Sequence, residues 1–282
     1  MQKFLLFFAL IPYCVQAQRL HLDLAGGFSN YQGDLQEKAF TISQAKGALG
    51  IGLRYDISNH FAVRTNFTYA ALGASDKYNS GSALRDRNLS FQTRITEANL
   101  LLDYSILNLR YHRFTPYVFG GIALFHYNPY AFDSTGNKIY LRPLSTEGQG
   151  LATYPSRKPY QLTQFSIPVG AGIRWRFTDN IVISYEIGFR KTFTDYLDDI
   201  STTYIDQTVL GTAKGPTAVA MAYRGNEVKT GLSYPPDGTI RGGSKFNDGY
   251  YFSGVTVSIG IGKRGGFHGK DNGRTDCPPP VQ

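Results

Sequence analysis

Between residues 194 and 206 the segment TDYLDDISTTYID sets Asp195, Asp198, Asp199 and Asp206 among tyrosines and hydroxyls. Carboxylates this dense could ligate Ca²⁺, a hard ion that takes several oxygen ligands, but their spacing does not follow an EF-hand loop. Asp, Ser and Thr side chains also bond nearby backbone amides and so hold a loop in one shape. That second chemistry is the expectation for Thr194, Asp195, Tyr196, Asp198, Asp199 and Tyr204. A second polar motif, LRPLSTEGQG (141–150), offers Leu144, Thr146, Glu147 and Gln149, with Gly148 and Gly150 allowing close approach. The two motifs are expected to pack together as a cap. Hydrolysis is the other chemistry to consider. The 5 histidines are scattered, and only His126 sits where Asp133, Ser134 or Asp195 could approach it. Spacing defines no nucleophile, base and acid, so the expectation is a non-enzymatic protein without metal or cofactor.

The elements that must carry these motifs alternate with period two, as half-buried strands do. Eight segments qualify: 19–29, 48–57, 60–72, 91–107, 115–127, 162–177, the strand from 180 that runs into the acidic motif, and 251–262. In the seventh, Ile181, Ile183, Tyr185, Ile187 and Phe189 oppose Ser184, Glu186, Gly188 and Arg190. The fifth, TPYVFGGIALFHY, is apolar on both faces and its sides stay open. A sandwich or a soluble barrel would turn a Lys- and Glu-rich face to water. Here the polar face is glycine, Ser, Thr and sparse charges, suited to a narrow interior. Links 58–59, 108–113 and 178–179 are short, and they alternate strictly with long ones at 30–47, 73–90, 128–161 and 194–250. Such sorting to two rims predicts an all-β, eight-stranded antiparallel transmembrane barrel with periplasmic turns, long extracellular loops and both termini in the periplasm.

The chain ends and composition agree with export. MQKFLLFFALIPYCVQA has one early cation, a short apolar run and small residues before a cleavage site, so residues 1–17 read as a signal peptide. Cys14 leaves with it, and Cys277 is then the single remaining thiol, which excludes an internal disulfide. The formal charge is +8, one less once Lys3 is removed, without a long basic run, which argues against nucleic acid as a partner. The barrel is expected over 18–263 and a flexible periplasmic tail, rich in Gly and Pro, over 264–282.

A barrel of eight strands is filled by its own side chains; aqueous channels need roughly sixteen or more. The interior is expected to hold Asp23, Arg54, Arg64, Glu97, Asp103, Arg174, Glu186 and Arg190, paired because an isolated charge there costs several kcal/mol. Trp175, Phe177, Tyr185 and Phe189 read as a membrane-interface girdle.

The segments LRPLSTEGQG and RKTFTDYLDDISTTYID, with SIPVGAGIRWRF between them, resemble the DUF6089 family of Bacteroidota outer-membrane proteins, whose best-known members are the PorG proteins of the type IX secretion system. The resemblance implies an outer-membrane barrel, embedded in lipid, that contacts the periplasmic ring of the PorK lipoprotein and PorN and helps anchor or assemble that machine. The surface facing such a ring would comprise the turn NLRYHR, with Arg110, His112 and Arg113, and the tail, with Lys263, Arg264 and Cys277. The alternative function is a surface-binding module or adhesin whose long outer loops recognise an external ligand.

Overall fold

The computed structural model describes residues 20–36, 41, 43–228 and 232–261. The expected signal peptide (1–17) and tail (264–282), with Lys263, Arg264 and Cys277, lie outside these residues. The barrel strands are β1 (Leu20–Gln32), β2 (Lys46–Asp56), β3 (Phe61–Ser75), β4 (Ser90–Ser105), β5 (Phe114–His126), β8 (Thr163–Arg176), β9 (Ile181–Thr192) and β10 (Gly249–Gly260). They follow one another around the wall in the order β3-β2-β1-β10-β9-β8-β5-β4, and the pairing of β3 with β4 closes the ring. Every barrel pair is antiparallel. Closure leaves no strand edge with unpaired amides, the condition for a sheet to stand in hydrocarbon.

Alternation sorts the side chains. Ile51, Phe67, Leu100, Leu102, Ile122, Val169, Ile173 and Ile187 point outward and are exposed, while Asp23, Arg54, Arg64, Glu97, Asp103, Arg174 and Arg190 point inward and are buried. The register places the inward sets level, with Arg54 opposite Arg64 and Gly172 opposite Glu186. The fifth strand, ambiguous in sequence, turns Thr115, Tyr117, Phe119, Ala123 and Phe125 inward and Val118, Ile122 and Leu124 outward. Two of its inner rings lie under guanidinium groups: Arg174 stands 3.8 Å above Tyr117 and Arg64 5.1 Å from Phe119.

The long connections are more structured than a polar loop reading predicts. A hairpin of β6 (Tyr130–Phe132) and β7 (Lys138–Tyr140) extends the sheet from β4 through Gln92 and Tyr130. Helix α1 (Ser82–Arg87) sits between β3 and β4, and α2 (Gln207–Lys214) and α3 (Pro216–Ala222) lie between β9 and β10. The Asp206 carboxylate caps α2 by accepting from Val209 N at 2.9 Å, Gly215 ends it at φ 86°, and Pro216 opens α3. These are ordinary helix start and stop signals.

The seam between β1 and β10 depends on the facing pair Gly27 and Gly254. A methyl group on Gly27 would strike the Ser253 carbonyl, and one on Gly254 would meet Gly26 O at 2.5 Å. Gly27→Leu is therefore expected to prevent closure. The check is gel mobility with and without heating: the wild type should migrate as a compact unheated band and the variant should lose it.

Candidate functional site

Two polar assemblies are stacked along the barrel axis. The first fills the bore. Arg64 Nη1 donates to Glu186 Oε2 at 2.7 Å, and the same carboxylate oxygen accepts from the Tyr117 hydroxyl at 2.6 Å. Asp103 is shared, with Arg64 Nε at 3.4 Å on one side and Arg174 Nη2 on the other. Nearer the long loops, Arg190 meets Glu97 through Nε and Nη2, both at 3.3 Å, and Glu97 also accepts from Tyr250 OH at 2.8 Å and Asn99 Nδ2 at 2.8 Å. Arg54 turns instead to Asp56, 3.3 Å away, a residue the sequence had not placed in the network. Asp23 departs from the expected pairing: it is buried, makes no ion pair among the described residues, and its Oδ1 has no hydrogen-bond partner. It projects from β1 with Gly52 opposite, near enough to Arg54 to act on its charge but without forming an ion pair.

The second assembly is the cap at the long-loop end, and Glu147 organises it. Its Oε1 accepts from Arg241 Nη1 and from Ser201 N, both at 2.9 Å. Its Oε2 accepts from Thr202 N at 3.0 Å, Thr202 Oγ1 at 2.7 Å and Tyr196 OH at 3.2 Å. The two sequence motifs thus meet through one carboxylate. Gln149 steadies it by accepting from Glu147 N at 3.1 Å, and Arg157 Nη1 holds the Glu147 carbonyl at 2.7 Å. Gly148 and Gly150 adopt φ of 81° and 78°, a region that favours glycine, and a side chain on Gly148 would press on Tyr154 and Ile205. Leu144 packs against both apolar clusters of the cap.

The acidic motif lies across this carboxylate. Asp199, at φ 70°, aims its carbonyl at Arg241 Nη1 (2.6 Å), while its carboxylate accepts from Thr146 Oγ1 (2.5 Å) and Tyr160 OH (2.7 Å). Thr194 positions the segment by accepting from Asp248 N at 3.0 Å through its carbonyl and from Tyr196 N at 3.2 Å through its hydroxyl. Tyr204 is buried edge-on against Tyr223 and Tyr234. Asp198 and Asp248 flank the Tyr31 hydroxyl at 2.6 and 2.9 Å. A phenol has one proton, so the second of these contacts needs a proton on one of the acids.

Burial raises the Asp195 carboxyl to about 7 and Asp199 to about 6, and it holds Asp198 and Asp248 well above the usual carboxylate range. Asp34, also raised by burial, faces the same acids, with Glu147, Arg87 and Arg241 alongside. Among the described residues, no group of three or more His, Cys, Asp or Glu has the geometry to hold a metal ion. His126 is exposed on the outer face and bonds Thr163, while Asp133 bonds Thr135 and Asn137, so the histidine and that acid are committed to separate local partners.

Sequence reasoning missed Arg241, Arg157, Tyr160, Tyr31 and Asp248. Each lies outside the two motifs, Arg157 and Tyr160 beyond the first, Asp248 and Arg241 far along the connection that holds the second and Tyr31 in β1, and no local pattern marks it. At the short-turn end, Arg110, His112 and Arg113 are all exposed, and Arg110 N is held by Asn108 Oδ1 at 2.9 Å.

A closed antiparallel wall, apolar outside and filled with paired charges inside, defines a membrane-spanning β-barrel of the outer-membrane type. The chain belongs to the DUF6089 family, described as a domain of unknown function, whose pattern matches residues 2–210. That match ends before Arg241 and β10. Neisserial surface protein A is similar in structure at TM-score 0.42 and 10% identity, covering 86% of this chain and 96% of that one. The outer membrane protein OprG of Pseudomonas aeruginosa gives 0.38 and 9%, covering 86% and 97%. A major outer membrane protein of Thermus thermophilus gives 0.38 and 11%, covering 85% and 98%. No curated protein matches the chain.

Glu147→Ala leaves the buried Arg241 without its carboxylate, a change that costs about 3–5 kcal/mol in comparable buried pairs. The expected outcome is faster hydrogen exchange across residues 194–206, with the barrel amides unchanged. The pH dependence has a definite sign. Acids whose folded pKa is raised contribute stability that is complete below the ordinary carboxyl pKa and is lost as pH climbs through the folded value. The cap should therefore be tightest below about pH 4 and loosen progressively as pH rises to about 6 and 7, the folded values of Asp199 and Asp195. Amide exchange of 195–202, corrected for intrinsic rates, measures this, and a cap that tightens from pH 5 to 8 would contradict it.

Proposed function

We propose that this barrel is a non-enzymatic outer-membrane anchor that helps assemble the type IX protein secretion machinery by contacting its periplasmic ring of PorK and PorN. The filled bore carries the reading. Arg64, Glu186, Tyr117, Asp103 and Arg174 bond to one another across it, so the barrel acts through its rims rather than by passing solutes. Membership of the DUF6089 family supports the same reading. The short turns then face the periplasm, and the turn between β4 and β5 offers Arg110, His112, Arg113 and Tyr111, the last 83% exposed, to a partner.

A surface-binding module is the second reading. It is favoured by the folded cap, which leaves Ile240 and Phe246 exposed at the long-loop end. Affinity purification of the tagged barrel from native outer membranes separates the two. Recovery of the ring lipoprotein is expected, together with retention of secreted cargo inside cells that lack the barrel. An intact ring that never co-purifies, with normal secretion in the deletion strain, would favour the surface module.

A further inference from the structure

The two ends of the barrel differ. At the long-loop end the cap covers the bore, whereas the short-turn end opens into a cavity of about 130 Å³. Its walls carry the guanidinium groups of Arg54, Arg110, Arg174 and Arg176 and the imidazoles of His21 and His60. Among the described residues of that lining, Asp56 is the one carboxylate. Arg54 and Arg174 are each 3% exposed, so these cations are held in place by the fold rather than spread in solvent.

Of the acids that act on these cations, Asp23 makes no ion pair and the other two are already divided. Asp56 Oδ2 lies 3.1 Å from His21 Nε2, while its other oxygen faces Arg54 Nε at 3.3 Å without the alignment of a hydrogen bond. Asp103, just below, is split between Arg64 and Arg174. Arg54 Nε, Arg174 Nε and His21 Nδ1 are buried donors or acceptors with no hydrogen-bond partner among the described residues. Buried nitrogens of this kind ordinarily find partners, and a guanidinium edge is shaped for an oxyanion. Arg176 is engaged weakly, 3.8 Å from an exposed Asp179.

The lining also separates kinds of oxyanion. Ala62, Leu109 and Val182 contribute apolar surface between the cations, which suits the methylenes of an acidic side chain and offers nothing to inorganic phosphate. The cavity lies inside the ring of strands, away from the lipid that meets the outer wall. We propose that the short-turn mouth is an oxyanion pocket that receives an acidic side chain of a polypeptide on that side of the membrane.

The pocket does not depend on the secretion reading, because it can be tested on the isolated barrel. The full chain in detergent micelles would be titrated with acetyl-Gly-Glu-Gly-amide, with its Gln counterpart and with inorganic phosphate, following the arginine Nε–H resonances by NMR. Saturable shifts at Arg54 and Arg174 are expected with the Glu peptide and not with the Gln peptide. Arg54→Gln should weaken binding by about tenfold, a change of roughly 1.4 kcal/mol. Arg110→Gln, on the exposed turn and outside the bore network, gives the same direction of change should the buried variant fail to fold. Phosphate binding as tightly as the Glu peptide would overturn the polypeptide assignment, as would shifts seen only after anionic phospholipid is added to the micelle. No saturable shift with any probe would overturn the pocket itself. A failed purification of ring proteins would leave each of these outcomes unaffected.

Discussion

Everything in this molecule answers to closure of the backbone. In hydrocarbon an unpaired amide costs several kcal/mol, so the sheet must return on itself. The contact that completes it is the β3–β4 pairing, whose register runs unbroken from Phe61 opposite Tyr104 to Ser75 opposite Ser90. Eight strands fix a bore too narrow for bulk water. Each inward charge must then find its counter-ion among side chains that the registers bring level. This explains why arginine, with its planar fork, supplies the cations of the bore network. It also explains why phenols recur beside the acids: Tyr117 on Glu186 and Tyr250 on Glu97 satisfy carboxylate oxygens that the guanidinium groups do not fully occupy.

The cap extends this interior rather than sitting on it as a separate lid. A line of rings leads out of the barrel, from Phe125 to Tyr127 at 5.6 Å, to Tyr160 at 6.3 Å and to Tyr196 at 4.9 Å. Tyr196 delivers its hydroxyl to Glu147. Tyr31, at the end of β1, and Asp248, just before β10, clamp the acidic motif from the strand side. The loops are thus tied to the two strands that form the seam. Arg87 joins the last long loop to the first two, bonding Asp76 twice at 2.8 Å and the carbonyls of Asp34 and Arg241.

What the sequence revealed follows from the range of each interaction. Period-two alternation is local, so the strands and their facing were legible, and the short turns at 58–59 and 178–179 gave the topology. β5 was opaque because its inner residues Tyr117, Phe119 and Phe125 are as apolar as its outer ones; the guanidinium groups over Phe119 and Tyr117 come from β3 and β8, and Phe125 packs on Tyr127 and Tyr250. The caps of α2 and α3 were present in Asp206, Gly215 and Pro216 but were submerged in a segment read for its polarity. Glu147 was visible as a motif residue. Arg241, which neutralises it from 94 positions away, was not, since nothing in its neighbours distinguishes it from any exposed arginine.

The polarity of the barrel follows from where its acids went. Inside the cap acids outnumber cations: Asp34, Asp195, Asp198, Asp199, Asp248 and Glu147 gather around Arg241 and Arg87, and protons make up part of the difference. At the short-turn end the balance reverses, with Arg54, Arg110, Arg174 and Arg176 around Asp56. The cap gathers acids in its loops, whereas the short-turn mouth has one carboxylate in its lining for several cations. The end that folded over itself with shared protons is closed by its own loops, and a partner of opposite charge can complete only the end whose turns are too short to do so.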